Sequence, residues 1–160
     1  MTSAHRDQQP RGIAPPPLER SIERGPGEEA PSEALEQVPL VRRATRQRMT
    51  VGWGLPSDFT DDVSLLVGEL LANAVLHGGT GRIFVRVGYS APVLSIVVAD
   101  RSPKAPRSGH TGPEDKNGRG WDIARELVAE RRGQLEALTH PTGKVITCLL
   151  PVRCDEGRCA

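Results

Sequence analysis

The sequence carries almost no excess of charge, because 21 Lys and Arg residues face 20 Asp and Glu residues and leave a net charge of +1. A chain so close to neutral lacks the basic excess that attracts nucleic acids and acidic membrane surfaces. It also has no apolar run long enough to span a bilayer, and its first residues contain no apolar core of a signal peptide. We therefore expect a cytoplasmic protein with no direct binding to nucleic acid or membrane.

Cysteine is scarce as well, with three residues in 160, and this odd number fits a reducing compartment. Cys148 lies in an apolar run typical of a strand, and we expect it to be inert. Cys154 and Cys159 lie in a polar tail, where they either form a redox-active pair or remain unreactive thiols. The three cysteines lack the spacing and the neighbours of a zinc site.

Two common nucleotide-binding motifs are also missing. No GxxxxGK[ST] occurs anywhere in the chain, which excludes a P-loop. Gly118-Arg119-Gly120 does not follow a strand directly and lacks the third glycine of the dinucleotide fingerprint. A Rossmann fold is therefore excluded too.

The composition that remains, 37% hydrophobic and 26% charged over 160 residues, is that of one globular domain. Residues 1–34 hold six of the fourteen prolines, mixed charges and few aliphatic side chains, so they predict a disordered tail. We place the folded domain at residues 35–152 and a flexible tail at residues 153–160.

The most informative stretch is VSLLVGELLANAVL at residues 63–76, which is apolar at ten of its fourteen positions. Helical spacing places Glu69 and Asn73 on one face of this segment, with His77 a further turn along. A buried carboxylate or amide is costly without a partner. Either the two side chains satisfy each other and nearby backbone, or they bind a metal ion, water or a ligand.

The remaining segments predict an α+β two-layer sandwich, with helices on one face of a mostly antiparallel or mixed sheet. A short amphipathic helix follows Pro39, with Leu40, Val41, Ala44 and Met49 on its apolar side. Strands are expected at residues 82–89, 93–99, 134–138 and 144–152, and a helix begins at Gly118-Arg119-Gly120. Residues 101–118 are rich in Gly and Pro, and their length favours a functional lid.

Two further places could carry chemistry. Asp100 ends an apolar strand, where its carboxylate could accept a hydrogen bond from the amino group of a purine, or could form a simple Asx turn. Gly118, Arg119 and Gly120 open a helix, whose unpaired N–H groups favour an anion such as phosphate.

In this order, the segments resemble the GHKL ATP-binding fold that gyrase, histidine kinases and anti-sigma kinases share. Glu69-Leu-Leu-Ala-Asn73-Ala74 is similar to the N box, Asp100-Arg-Ser-Pro103 to the first glycine box, and Asn117-Gly-Arg-Gly120-Trp121 to the second. The resemblance covers residues 36–152, and the small anti-sigma factor serine/threonine kinases are the most similar subgroup.

The resemblance implies ATP and Mg²⁺ as cofactors and a role for each of these residues. Glu69 is the general base, Asn73 holds Mg²⁺, and Asp100 reads adenine. The other nucleotide-binding residues that it implies are Ser102, Gly118, Arg119, Gly120 and Trp121. His77 either lies near the nucleotide or interacts with the negative end of its own helix.

Two positions depart from the family pattern. Ser102 occupies the place of a glycine two residues after the adenine-reading Asp. Lys144 follows Gly143 where the family often has threonine, so a hydroxyl that helps to order the nucleotide is missing, with Lys144 itself or Thr147 as possible substitutes. The missing hydroxyl predicts weaker nucleotide binding, whereas Ser-Pro at the place of Ser102 also occurs in the small regulators.

Two functions follow from the resemblance. One is a kinase that sequesters a sigma factor or similar regulator and phosphorylates an anti-anti-sigma-like protein on Ser or Thr. The resemblance also implies that the chain forms a homodimer. The other is a non-catalytic regulator that holds a partner and uses ATP only as a conformational ligand, or not at all. A lone histidine kinase is a poorer match, because we see no dimerisation helices with a phosphoacceptor histidine before the domain.

Overall fold

The computed structural model describes residues 15–27, 30–106 and 119–153. The helices are α1 (Ala30–Leu35), α2 (Val38–Gln47), α3 (Ser57–His77) and α4 (Arg119–Glu130), and a π-helical turn (Arg48–Gly52) continues α2. The strands are β1 (Leu18–Arg24), β2 (Gly81–Ser90), β3 (Val93–Asp100), β4 (Gln134–His140) and β5 (Gly143–Pro151). None of the described helices is long and apolar enough to cross a membrane.

The five strands form one sheet in the order β1-β2-β3-β5-β4. Every pair of neighbours is antiparallel, so of the two sheets left open by the sequence, antiparallel or mixed, the structure has the antiparallel one. The α+β architecture with packed helices is as predicted. The chain passes from β3 through α4 and the edge strand β4 before β5 returns beside β3, and this crossover places Lys144 opposite Asp100.

The disordered tail predicted for residues 1–34 is wrong in two segments. Residues 18–24 form the edge strand β1, which pairs along its whole length with β2, and α1 begins at Ala30. Leu18 and Ile22 are the two apolar side chains of β1, and both are buried in the core. The remainder of the tail before residue 15 and residues 154–160 lie outside the described residues.

The core fills the space between α3 and one face of the sheet. Period-2 alternation along β5 buries Ile146, Cys148 and Leu150 on this face and leaves Val145 and Leu149 on the other. Burial raises the pKa of the Cys148 thiol to about 12, so the thiolate is absent at neutral pH. This agrees with the inert role expected for Cys148.

Helix α2 packs along α3 with most of the predicted side, since Val41 and Met49 are buried and Ala44 packs against the core, and the prediction is wrong at Leu40. Val38, Val41 and Thr45 are buried, whereas Leu40 is 64% exposed. Steps of three and four residues define the buried stripe, and Leu40 falls outside it. The side chain of Arg42 crosses α3 at Gly68, where an added Cβ would lie 2.7 Å from the Arg42 Cδ atom.

The end of α4 is tied to the start of α3 by Arg131. Its guanidinium donates to Asp62 at 2.7 and 2.8 Å and to Asp58 at 3.2 Å, and it stacks over the Phe59 ring at 5.5 Å. A partly buried guanidinium that donates to two carboxylates restricts both helices more than an exposed ion pair does. This clamp fixes the position of α4 relative to α3.

Candidate functional site

The first turn of α4 lies against the middle of α3. A Cβ atom added to Gly120 would lie 2.8 Å from Glu69 Oε2, so only glycine leaves room for the carboxylate as it is placed. The first N–H groups of a helix have no partner within the helix, and they carry partial positive charge. The structure thus brings Glu69 together with Gly120 in the first turn of α4.

Glu69 and Asn73 are both half-buried on α3, one helical turn apart. Among the residues that the structure describes, neither side chain has a hydrogen-bond partner, and they do not bond to each other. The alternative in which the two groups satisfy one another is therefore not what the structure shows. Half-buried polar groups without partners are available to a ligand or a hydrated ion.

Asp100 ends β3 beyond the C-terminal end of α3 and is 7% exposed. Its Oδ1 accepts the Ser102 N–H at 2.8 Å, which is the Asx turn considered above. Its Oδ2 lies 2.6 Å from Lys144 Nζ. A Cβ at Gly78 would lie 2.9 Å from the Cβ and Cγ atoms of Asp100, so this glycine lets the end of α3 touch the carboxylate-bearing side chain.

Of the two proposed substitutes for the missing threonine, the structure favours Lys144. Thr147 belongs to the alternate face of β5, between Val97 and Glu136 in the strand register, and it points away from the helices. Lys144 shares the buried, helix-facing side with Ile146, and its side chain is 2% exposed. Sequence reasoning named this lysine without predicting its contact with Asp100, because the contact depends on strand pairing.

The two clusters stand at two points along one helix. Glu69 marks the contact with α4, and Gly78 marks the contact with Asp100. Nine residues separate them, a rise of about 13 Å at 1.5 Å per residue. Asn73 lies between them, one turn beyond Glu69. The site is therefore elongated, with a helix start and an unpartnered acid at one end and a buried carboxylate at the other.

The other predicted site residues occupy several environments. Ser102 is buried beside Asp100, and its hydroxyl accepts the Lys104 N–H at 3.3 Å. Arg119 is exposed at the start of α4, whereas Trp121 packs against the core, and His77 is exposed at the end of α3. Residues 107–118 of the expected lid, which include Gly118, lie outside the described residues. Sequence reasoning missed Gly78, because its contact with Asp100 depends on how the end of α3 packs against β3.

This combination of fold and ordered boxes defines a class of protein. The family model of the histidine kinase-like ATPase domain matches residues 32–148, which is well over half of the chain. The chain belongs to this family. No curated protein is similar enough to this chain to count as a match.

Several solved structures share the fold. The histidine kinase domain of a blue-light activated histidine kinase from Erythrobacter litoralis EL346 superposes with a TM-score of 0.50 at 18% identity, over 81% of this chain and 66% of that one. The RsbU and RsbW domains of Rv1364c from Mycobacterium tuberculosis give 0.54 at 18% identity, over 88% and 34%. The catalytic domain of the histidine kinase ThkA gives 0.50 at 15% identity, over 84% and 96%.

At these identities the similarity concerns the fold alone. This chain spans 66% of the Erythrobacter chain and 34% of the Mycobacterium chain, so it corresponds to a part of each. The shared fold does not by itself define the activity of this chain, which depends on the residues at its site.

Proposed function

We propose that this chain binds ATP with Mg²⁺ along α3, with the adenine at Asp100 and the phosphates at the start of α4. The observation that carries the proposal is the separation of the two clusters by about 13 Å of one helix, a length comparable to that of an extended nucleoside triphosphate. Each end has the chemistry that its part of the ligand needs. A carboxylate accepts from an amino group, and a helix start favours an anion.

The residues at the phosphate end fit a nucleotide bound with a hydrated cation. Arg119 and Gly120 open α4, with Gly118 just before them, and Gly120 keeps the helix start free of a side chain. The amide oxygen of Asn73 is the type of ligand that Mg²⁺ prefers, and Mg²⁺ usually keeps waters and phosphate oxygens as its other ligands. Asn73 has no partner among the described residues that would compete for this oxygen.

We further propose that the chain acts as an anti-sigma type serine/threonine kinase. In this role Glu69 accepts the proton of a Ser or Thr hydroxyl on a protein substrate, and bound ATP with Mg²⁺ supplies the phosphoryl group. The partners are a sigma factor or a similar transcription regulator, which the chain sequesters, and an anti-anti-sigma-like protein, which it phosphorylates. Support comes from the unpartnered, half-buried Glu69 beside α4 and from the similarity of its N box to that subgroup.

One observation favours a second candidate, a regulator that holds its partner without catalysis. Both oxygens of Asp100 already have partners, Ser102 N–H and Lys144 Nζ, and the Asp100 side chain is 1% exposed. A base that displaced either contact would bind weakly, because a buried charge would lose its partner.

Calorimetric titration with Mg-ATP tests the proposal through two variants. Glu69→Gln keeps the shape of the side chain, so we expect unchanged binding of Mg-ATP and no transfer of labelled γ-phosphate to an anti-anti-sigma-like protein. Asn73→Ala should remove the part of the affinity that depends on Mg²⁺, whereas the exposed amide variant Gln47→Ala should leave it intact.

The outcomes separate the two candidates. Binding without transfer in the native chain supports the non-catalytic regulator, and transfer that survives in Glu69→Gln rules out the base. An isotherm for Asn73→Ala that matches the native one sinks the metal assignment.

A further inference from the structure

The pair formed by Lys144 and Asp100 is the most deeply buried ion pair in the described part of the chain. Its atoms lie 2.6 Å apart, and the two side chains are 2% and 1% exposed. The pair joins β3 to β5 at the end of the sheet next to Gly78, where the proposed base-binding end of the site lies. By contrast, the side chains of the Arg82–Glu23 pair, which joins the edge strand β1 to β2, are 67% and 65% exposed.

Lys144 has hydrogen-bonding capacity that the described residues do not use. An ammonium group has three N–H donors. Among the described residues, Asp100 Oδ2 is the partner of the Lys144 ammonium. Buried donors without acceptors are costly, so a site that encloses them is suited to a ligand that accepts hydrogen bonds.

Asp100 retains capacity as well. Two carboxylate oxygens offer about four acceptor positions, and the Ser102 N–H and Lys144 each use one on a different oxygen. The buried pair therefore holds unused acceptor positions and unused donors side by side. The Watson–Crick edge of adenine presents the matching order, an amino group that donates next to the ring nitrogen N1 that accepts.

We propose that Lys144 is a specificity-determining residue, which donates to N1 of adenine while Asp100 accepts from the neighbouring amino group. The inference rests on the proposed binding of ATP and adds a second base-reading group to that site. On this account the base does not displace the ion pair. The base completes the hydrogen bonding of both Asp100 and Lys144. Lys144 replaces the missing hydroxyl, which Thr147 does not supply because it lies on the opposite face of β5.

Nucleotide analogues test the proposal on the unchanged protein. We would titrate the chain with ATP, with 1-deaza-ATP, which has C–H in place of N1, and with 7-deaza-ATP as the control. A hydrogen bond from a charged donor predicts that 1-deaza-ATP binds about tenfold to a hundredfold more weakly than ATP. The 7-deaza analogue should bind about as well as ATP, since Lys144 does not face N7.

Variants at Lys144 assign the effect to this side chain. Lys144→Met keeps the length of the chain but not the donor, so ATP and 1-deaza-ATP should bind it with equal affinity. Lys144→Leu is a second variant without a donor, in case the methionine variant does not fold. The control Arg43→Met removes an exposed cation on α2, and it should discriminate between the analogues like the native chain.

Two failures are distinguishable. A native chain that binds no ATP overturns the proposed function. A native chain that binds ATP and 1-deaza-ATP equally, or a folded Lys144→Met or Lys144→Leu variant that still discriminates as the native chain does, overturns the role of Lys144 and leaves the nucleotide site in place.

Discussion

Gly120 at the start of α4 lies so close to Glu69 on α3 that a Cβ atom there would stand 2.8 Å from Glu69 Oε2. The two residues are 51 positions apart in the sequence, and the Arg131 clamp at the other end of α4 keeps the two helices in this arrangement. The acid that we propose as the base is therefore positioned by the helix start that we propose to bind phosphate.

Gly120→Ala should separate function from stability. Alanine favours the helix by up to about 1 kcal/mol over glycine, and the atom that it meets is the mobile end of a side chain, so the variant should unfold at the same temperature or slightly higher. Its Cβ displaces the Glu69 carboxylate, and we expect phosphoryl transfer to fall about tenfold or more. Thermal unfolding and a labelled transfer assay measure the two effects.

The control for this variant is Gly25→Ala, since a Cβ at Gly25 would meet Ala30 at an ordinary 3.9 Å. Unchanged transfer in Gly120→Ala would show that the contact with α4 does not position Glu69.

Ile22→Ala tests whether β1 belongs to the folded domain. Ile22 is 1% exposed, and truncating a buried isoleucine costs about 2–5 kcal/mol in free energy of unfolding. Ser21→Ala, on the exposed face of the same strand, should change stability by less than about 0.5 kcal/mol. Urea denaturation compares the two, and equal midpoints would mean that β1 adds nothing to the core.

Arg131→Ala should destabilise the domain by about 1–3 kcal/mol, because it removes hydrogen bonds to Asp62 and Asp58 and the stacking on Phe59. The control is Arg86→Ala, which breaks a more exposed pair with Glu19 and should cost at most about 1 kcal/mol. If both variants unfold at the same urea concentration, the clamp between α3 and α4 has no special weight.

The same clamp predicts a dependence on pH. The N–H of Phe59 and then the guanidinium of Arg131 hold the pKa of Asp58 below its usual 3.8. A lowered pKa means that Asp58 stabilises the fold above pH 3.8 and that this contribution disappears as the pH falls through the lower, folded-state value. As the pH falls from 5 through the folded-state pKa of Asp58, the free energy of unfolding of Asp58→Asn should therefore decrease less than that of the native chain. Parallel stability curves for the two proteins would contradict this origin.

The long helix, four of the strands and the three boxes were predictable because their signals are local. The sequence defines α3 without any knowledge of its neighbours, because ten of fourteen positions are apolar and Glu69 and Asn73 are four residues apart. The strand β1 was not predictable in this way. Its seven residues contain two apolar side chains, and its charged residues Glu19 and Glu23 are matched by Arg86 and Arg82 on a strand about 60 residues later.

The site shows the same division. The residue types at Glu69, Asn73 and Asp100 already indicate a ligand, but the partner of Asp100 depends on the register of β3 with β5. A shift of one residue would turn Lys144 to the opposite face of the sheet. Sequence spacing alone therefore could not choose between Lys144 and Thr147, and strand pairing could.

Hydrogen–deuterium exchange with ATP and with adenosine tests the central claim, that the site runs along α3 from a base end to a phosphate end. Adenosine should slow exchange at residues 74–81 and 98–106, and ATP with Mg²⁺ should slow it there and also at residues 119–126. Protection of residues 119–126 by adenosine alone, or no protection at either end with saturating ATP, would contradict the account.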